Sequence, residues 1–158
     1  MPDTPVTTIS ISPLRRWFAL GAFVALGGFV VMLSFESNVA MEWKALTLAI
    51  AGGVFWLAYR MYLATQYAIE LVDGVLRLSN GVVITQLDNI IAIDRGMFAL
   101  KPTNGFTILL DQPVPRGWAP GLYWSLGRRI GIGGVVDPAA AKFMAETLTA
   151  HVASRKRS

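Results

Sequence analysis

Residues 17–35 read WFALGAFVALGGFVVMLSF, and residues 45–63 read ALTLAIAGGVFWLAYRMYL. The first run carries no charge, and the second carries only Arg60, one turn from its end. As helices, each reaches roughly 28 Å, close to the ~30 Å hydrocarbon core of a bilayer. The short stretch that joins them holds Glu36, Glu42 and Lys44, and it forces an antiparallel hairpin. These two runs are expected to be transmembrane helices, because buried helices of soluble proteins seldom run so long without a charge.

The flanks fit that reading. Trp17, Phe18, Trp43, Tyr59 and Tyr62 stand at the ends of the runs, where interfacial aromatic residues belong. Arg60 is placed to snorkel toward lipid headgroups. Gly21, Ala25 and Gly28, and likewise Ala45, Ala49 and Gly53, recur at spacings of three and four and predict close helix packing along those faces. Arg15 and Arg16 precede the first span and Arg60 ends the second, whereas the joining loop is acidic. The positive-inside rule then puts both termini in the cytoplasm and the loop outside, as a multi-pass protein of a bacterial inner (plasma) membrane. Arg15-Arg16-Trp17-Phe18 also resembles part of a twin-arginine export signal. Leu14 stands where that pattern has Ser or Thr, and no Ala-x-Ala cleavage site follows, so a retained signal anchor is expected.

Outward from the hairpin, the composition divides the chain of 158 residues in two. Charged residues make up 15% overall, against about 25% in soluble domains. The deficit lies in the two apolar runs. Of the net charge of +4, residues 66–158 hold +3, and Arg155, Lys156 and Arg157 crowd three bases into the last four residues. The rest of that part is near neutral and shows no basic face, which argues against nucleic-acid binding. There is no cysteine, which excludes disulfides, thiolate catalysis and Cys-based zinc sites.

From Gln66 the pattern changes to short alternating runs rich in β formers. Gln66–Val72, Val75–Ser79, Val82–Leu87, Ile90–Asp94, Phe106–Leu110 and Tyr123–Ile132 read as strands. Asp73-Gly74 and Asn80-Gly81 mark hairpin turns, while Arg95-Gly96 and Pro102–Gly105 punctuate the later part. This predicts an antiparallel meander of about six or seven strands. Asp137-Pro138 then opens a helix with an apolar side of Ala141, Met144, Leu148 and Val152. That side is expected to pack on the sheet or barrel mouth, leaving residues 154–158 as a basic tail.

Three stretches resemble the bacterial pleckstrin-homology-like (PH-like) family, in its membrane-anchored form with two N-terminal transmembrane helices. They are Tyr67-Ala-Ile-Glu-Leu with Asp73-Gly74-Val-Leu-Arg-Leu, the run from Thr85 to Ile93, and the ending from Ile130 to Ala139. The resemblance covers residues 14 to 153. It implies an α+β chain with a membrane anchor: a two-helix transmembrane hairpin followed by a small antiparallel β-barrel or sandwich capped by a C-terminal helix. The expected units are a cytoplasmic segment 1–16, the hairpin 17–63, a PH-like domain 66–153 and a tail 154–158. Such domains serve as interaction or assembly modules. The family's eukaryotic members hold phosphoinositides with several bases around the first hairpin loop. Here that loop, Val72-Asp73-Gly74, is acidic and Arg77 is the only nearby base, which argues against that ligand.

Reaction chemistry finds little support. His151 is the only histidine and sits late in the terminal helix, where a cation is favourable. No pairing of Asp73, Asp88, Asp94 and Asp111 has metal-ligand spacing. The glycines from Gly127 to Gly134 match neither dinucleotide nor P-loop patterns, and a tight strand-to-helix turn explains them more simply. No catalytic residue, metal or cofactor is expected.

The most unusual stretch is Asp111–Trp124, DQPVPRGWAPGLYW. Its two tryptophans suit the domain's own core, a protein partner or a membrane interface. The contact residues expected are Arg116, Trp118, Trp124, Arg128, Arg129, Arg155, Lys156 and Arg157. The function these observations favour is a non-enzymatic, membrane-tethered interaction module with a protein partner. A peripheral sensor of anionic inner-leaflet lipid is the second reading, and a small-ligand binder the third.

Overall fold

The structure is a computed structural model that describes residues 6–36, 40–95 and 104–155. The expected breaks at Gly96 and Pro102, and the candidate contacts Lys156 and Arg157, lie outside the described residues.

Two long apolar helices form the expected hairpin. Helix α1 is Pro13–Ser34, with proline in its first turn, where a missing N–H costs nothing. Helix α2 is Met41–Ala64. Both are long and apolar enough to cross a membrane. They pack on each other, α1 burying Leu20, Gly27 and Ser34 at intervals of seven and α2 burying Ala51, Ala58 and Met61. A seven-residue repeat keeps two nearly antiparallel helices in contact over many turns. Ser34 Oγ donates to Thr47 Oγ1 at 2.7 Å near the loop end. At the middle of the seam Gly27 lies against the Phe55 ring, closer than a Cβ would allow.

That seam corrects the expected packing faces. Gly21, Ala25, Gly28, Ala45, Ala49 and Gly53 are exposed, and the buried face of α1 runs through Leu20, Gly27 and Ser34 instead. Large apolar side chains also point outward, with Phe18 79% and Met32 73% exposed. A soluble core hairpin would bury them; this one has an apolar coat that needs a cover.

The remainder is an α+β layout of two antiparallel sheets and a terminal helix. Strands β1 (Thr7–Ile9), β2 (Ile69–Val72), β3 (Val75–Leu78) and β4 (Val83–Gln86) make one sheet in that order. A 3₁₀ turn, Leu87–Asn89, leads to the second sheet: β5 (Ile90–Asp94), β6 (Phe106–Ala119) and β7 (Tyr123–Ile132). Asp73 and Gly74 both adopt positive φ, 47° and 77°, between the paired residues Val72 and Val75. That is the turn that Asp-Gly favours in two-residue hairpins. Helix α3, Pro138–Arg155, starts at Asp137, whose carboxylate accepts from the Ala140 amide at 3.2 Å. The predicted stripe Ala141, Met144, Leu148 and Val152 is buried against β1 and β5. One continuous core joins both sheets to α3, with Phe106, Ile108, Leu122, Ile130 and Ile132 almost wholly enclosed.

Two features depart from the sequence reading. Residues 1–16 were read as a cytoplasmic N-terminal segment with no strand assigned, and within it Thr7–Ile9 pairs with Ile69–Leu71 and Ile9 is fully buried. The helical hairpin is therefore inserted between two neighbouring strands of the domain rather than placed before it. Second, β6 does not stop at Leu110 but runs on to Ala119 through Pro113 and Pro115. Its pairing with β7 shifts register between Leu109 and Val114 and again before Gly117. Bulges let prolines sit where a regular ladder would need their N–H.

Candidate functional site

The residues that give this architecture its functional character gather where the helices leave the sheets. Ser12 N–H donates to Val135 O, and Asp137 N–H donates to Ser10 O, both at 3.0 Å. Ile11 bridges Val136, so α1 departs from a backbone fastened to the β7–α3 connection. Leu20, Met61 and Val135 form a small apolar cluster of their own with Ile11, Ala19 and Phe23. Each helix foot is thus packed on the domain, with α2 re-entering it after Thr65, whose hydroxyl donates to Met61 O at 2.7 Å.

The outer arms of β6 and β7 reach back along α2. Ala119-Pro120-Gly121-Leu122 closes them, with Gly121 at φ 79° and the Leu122 amide bonded to Ala119 O at 3.0 Å. Proline followed by a positive-φ glycine is the type II turn pattern. Gly121 touches Met61, and the Trp118 indole lies 6.3 Å from that of Trp56, centroid to centroid. Arg60 stacks over Trp56 at 5.5 Å, and Arg16 over Tyr62 at 4.9 Å. Arg16 also donates to Tyr62 O at 3.5 Å, while its Nε is buried without a partner. A ring of aromatic and guanidinium groups therefore girdles the domain end of the hairpin. A cavity of about 300 Å³ opens there, between Arg60, Tyr67, Asn80, Trp118 and Pro120.

The expected contact residues do not form one patch. Trp118 and Trp124 are cross-strand partners, but they part ways. Trp118 is half exposed against α2; Trp124 is half buried and folds over Gly131, so closely that a Cβ there would enter its ring. Between them Gly127 adopts a positive φ of 58°, where the ladder with β6 changes register. Arg116 is exposed on the arms, and Arg128 and Arg129 are exposed just inside them, Arg129 opposite Leu109. Arg155 was expected in a solvated tail. It belongs instead to α3, donates to Asp88 O and to Ile90 O, and lies 3.8 Å from the Asp88 carboxylate. That end of α3 sits far from the helix feet, beside the Asp73–Gly74 side of the sheet, where His151 lines a shallow cleft. Arg77 is paired across the strands with Glu70 at 3.8 Å.

Sequence reasoning missed Arg16, Trp56 and Tyr62 as parts of a joint, and also Asn89. The Asn89 amide accepts from Gln112 N–H at 2.7 Å and donates to Gln112 O at 3.1 Å. It thereby substitutes for a strand neighbour of β6. Alongside lies a cleft of about 510 Å³ between β4 and the outer part of β6. Partial burial pushes the Tyr123 phenol above the usual tyrosine range. Among the described residues no group of three or more His, Asp or Glu side chains gathers to hold a metal ion. No protein-family model, curated protein or solved structure matches the chain.

Proposed function

We propose that this chain is a non-enzymatic, membrane-tethered interaction and assembly module of a bacterial inner membrane. In this reading α1 and α2 cross the bilayer, both termini are cytoplasmic, and the two sheets with α3 form a PH-like domain. The carrying observation is the insertion of the hairpin between β1 and β2, since Ile9 pairs with Ile69 just beyond the two helix feet. A domain mounted at two points, with Leu20, Met61 and Val135 wedged between, has a fixed height and orientation over the bilayer. Such a mount suits a module that presents one face to a neighbour in the same membrane. The ring of Arg16, Trp17, Trp56, Arg60, Tyr62 and Trp118 supports the placement, because aromatic and basic side chains favour the headgroup level. Arg15, Arg16 and Arg60 at the domain end, against Glu36 and Glu42 at the other, support a cytoplasmic domain.

Site-specific photo-crosslinking of the full chain in native membranes tests this reading. Adducts with a defined second protein are expected from domain positions; a complete absence of anything but self-adducts would defeat it. Thiol labelling at Glu36→Cys should succeed from outside intact inner-membrane vesicles of right-side-out orientation.

A second reading, a sensor of anionic lipid, draws on Arg60. Its guanidinium stacks on Trp56 and lines the cavity beside Trp118, where a headgroup phosphate would be accommodated. Salt-sensitive gain of thermal stability in anionic over neutral nanodiscs would favour it.

A further inference from the structure

The outer arms of β6 and β7 are fastened in place. Gly133 N–H donates to Leu122 O and Val135 N–H to Gly121 O, each at 3.0 Å, which ties the turn of the arms to the β7–α3 connection. Across the arms the Ser125 hydroxyl donates to Pro115 O at 2.8 Å. Leu122 is fully enclosed in the main core, so the arms cannot swing away from α2.

Their contact with α2 fixes their depth. Trp118 lines the cavity of about 300 Å³ together with Arg60 and Leu63, and its ring lies 6.3 Å from that of Trp56. Tyr62, over which Arg16 stacks, has the chemistry of the headgroup level. With α2 across the bilayer, Trp56 stands six residues before Tyr62 and so about 9 Å deeper. The polar layer on one side of a bilayer is only roughly 5–8 Å thick. Trp118 therefore reaches from the headgroups to the first part of the acyl chains. It stays 50% exposed after packing on Trp56, and at that depth lipid is what remains to cover it. Indole suits this boundary, because its ring is apolar and its N–H polar. The local charge fits the same occupant: between Asp111 and Asp137 the chain holds three arginines and no acidic residue. Arg116, two residues from Trp118, is exposed and long enough to reach lipid phosphates while the indole lies below them.

We propose that the β6–β7 arm is a second, non-spanning contact with the bilayer, its Trp118 indole immersed at the boundary between phospholipid headgroups and acyl chains. The proposal rests on the membrane-spanning reading of α1 and α2 and goes beyond it by giving the sheet a lipid contact of its own. Two helix feet and the arm then hold the domain against the leaflet.

The test uses the full chain in nanodiscs of phosphatidylcholine brominated either near the headgroup end of the acyl chains or near their methyl end. The emission of wild type minus that of Trp118→Phe isolates this indole from the other tryptophans. That difference should lose most of its intensity to the shallow bromines, less to the deep ones and little to acrylamide in the water. Quenching by acrylamide alone, or more strongly by the deep bromines, would overturn the proposal. So would indifference to all three quenchers, which would place Trp118 against a protein neighbour. A fluorophore on Arg116→Cys leaves the Trp56–Trp118 contact in place and should be quenched by lipids that carry a nitroxide on the headgroup; no quenching there would also count against the arm. The chain has no cysteine of its own, so a fluorophore on Phe29→Cys, exposed on α1, serves as reference. Bromolipid quenching at Phe29 but not at Trp118 would remove the arm assignment alone. Quenching at neither would remove the spanning reading with it.

Discussion

Trp118, near the tip of the β6–β7 arms, holds its indole 6.3 Å from that of Trp56 in the domain-side half of α2, tilted by 34°. This contact makes the arms a brace for the helix rather than a free loop. An aromatic pair of this geometry contributes about 0.5–1.5 kcal/mol beyond the area it buries. A double-mutant cycle with Trp56→Leu and Trp118→Ala, measured as unfolding free energy in detergent micelles, should give a coupling of about 1 kcal/mol. Strictly additive losses would mean that the brace contributes nothing.

The helix seam makes a sharper distinction. Gly27 faces Phe55 too closely for a Cβ, whereas Gly28 has open space around it. Gly27→Leu should cost about 1–3 kcal/mol through overpacking. Gly28→Leu should be nearly neutral in the same micelles. Equal effects would show that the helices do not pack through the Gly27 face.

Insertion of the hairpin into the domain has a direct consequence for β1. Ile9 is fully enclosed in the main core, so Ile9→Ala should cost about 2–5 kcal/mol. A fragment of residues 66–158 lacks that strand and leaves the β2 edge and the α3 stripe uncovered. It should melt without a cooperative transition in calorimetry. A fragment as stable as the intact chain would contradict the pairing of β1 with β2.

Why β1 was illegible, while β2 and β3 were plain, follows from the distance over which each pairing acts. Asp73-Gly74 fixes its hairpin locally, and Asp137-Pro138 caps α3 locally, so residue identity alone suffices. The two apolar helices were legible for the same reason, since length and charge are properties of a single segment. Thr7–Ile9 finds its partner only across the whole hairpin, and three residues are too few to show a period. Pro113 and Pro115 read as breakers because regular ladders exclude them, and the bulges that admit them depend on β7. The helix seam was misplaced because small residues are abundant on several faces, and only the partner helix selects one. Of the contact residues, Trp118 lies at the joint, whereas Arg155 is held by Asp88 and Ile90. Sequence shows side-chain chemistry but not which groups are already engaged.

The half-buried phenol of Tyr123 ties stability to alkaline pH. Burial raises its pKa above the ordinary tyrosine value of 10.0, and it packs beside Gly117 next to the joint. A neutral acid with a raised folded-state pKa contributes its full stabilisation below the unfolded value. The contribution is lost as pH rises from that value through the folded one, because only the unfolded chain ionises readily. Thermal midpoints should therefore be flat near neutrality and fall above about pH 10. Tyr123→Phe should leave the neutral midpoint little changed and make the alkaline decline shallower, since the half-buried ring remains and its ionisation is gone. The absorbance difference between wild type and Tyr123→Phe, followed through phenolate formation, should titrate later than that of a free tyrosine. A decline of the same slope in both proteins would assign the alkaline sensitivity to other groups.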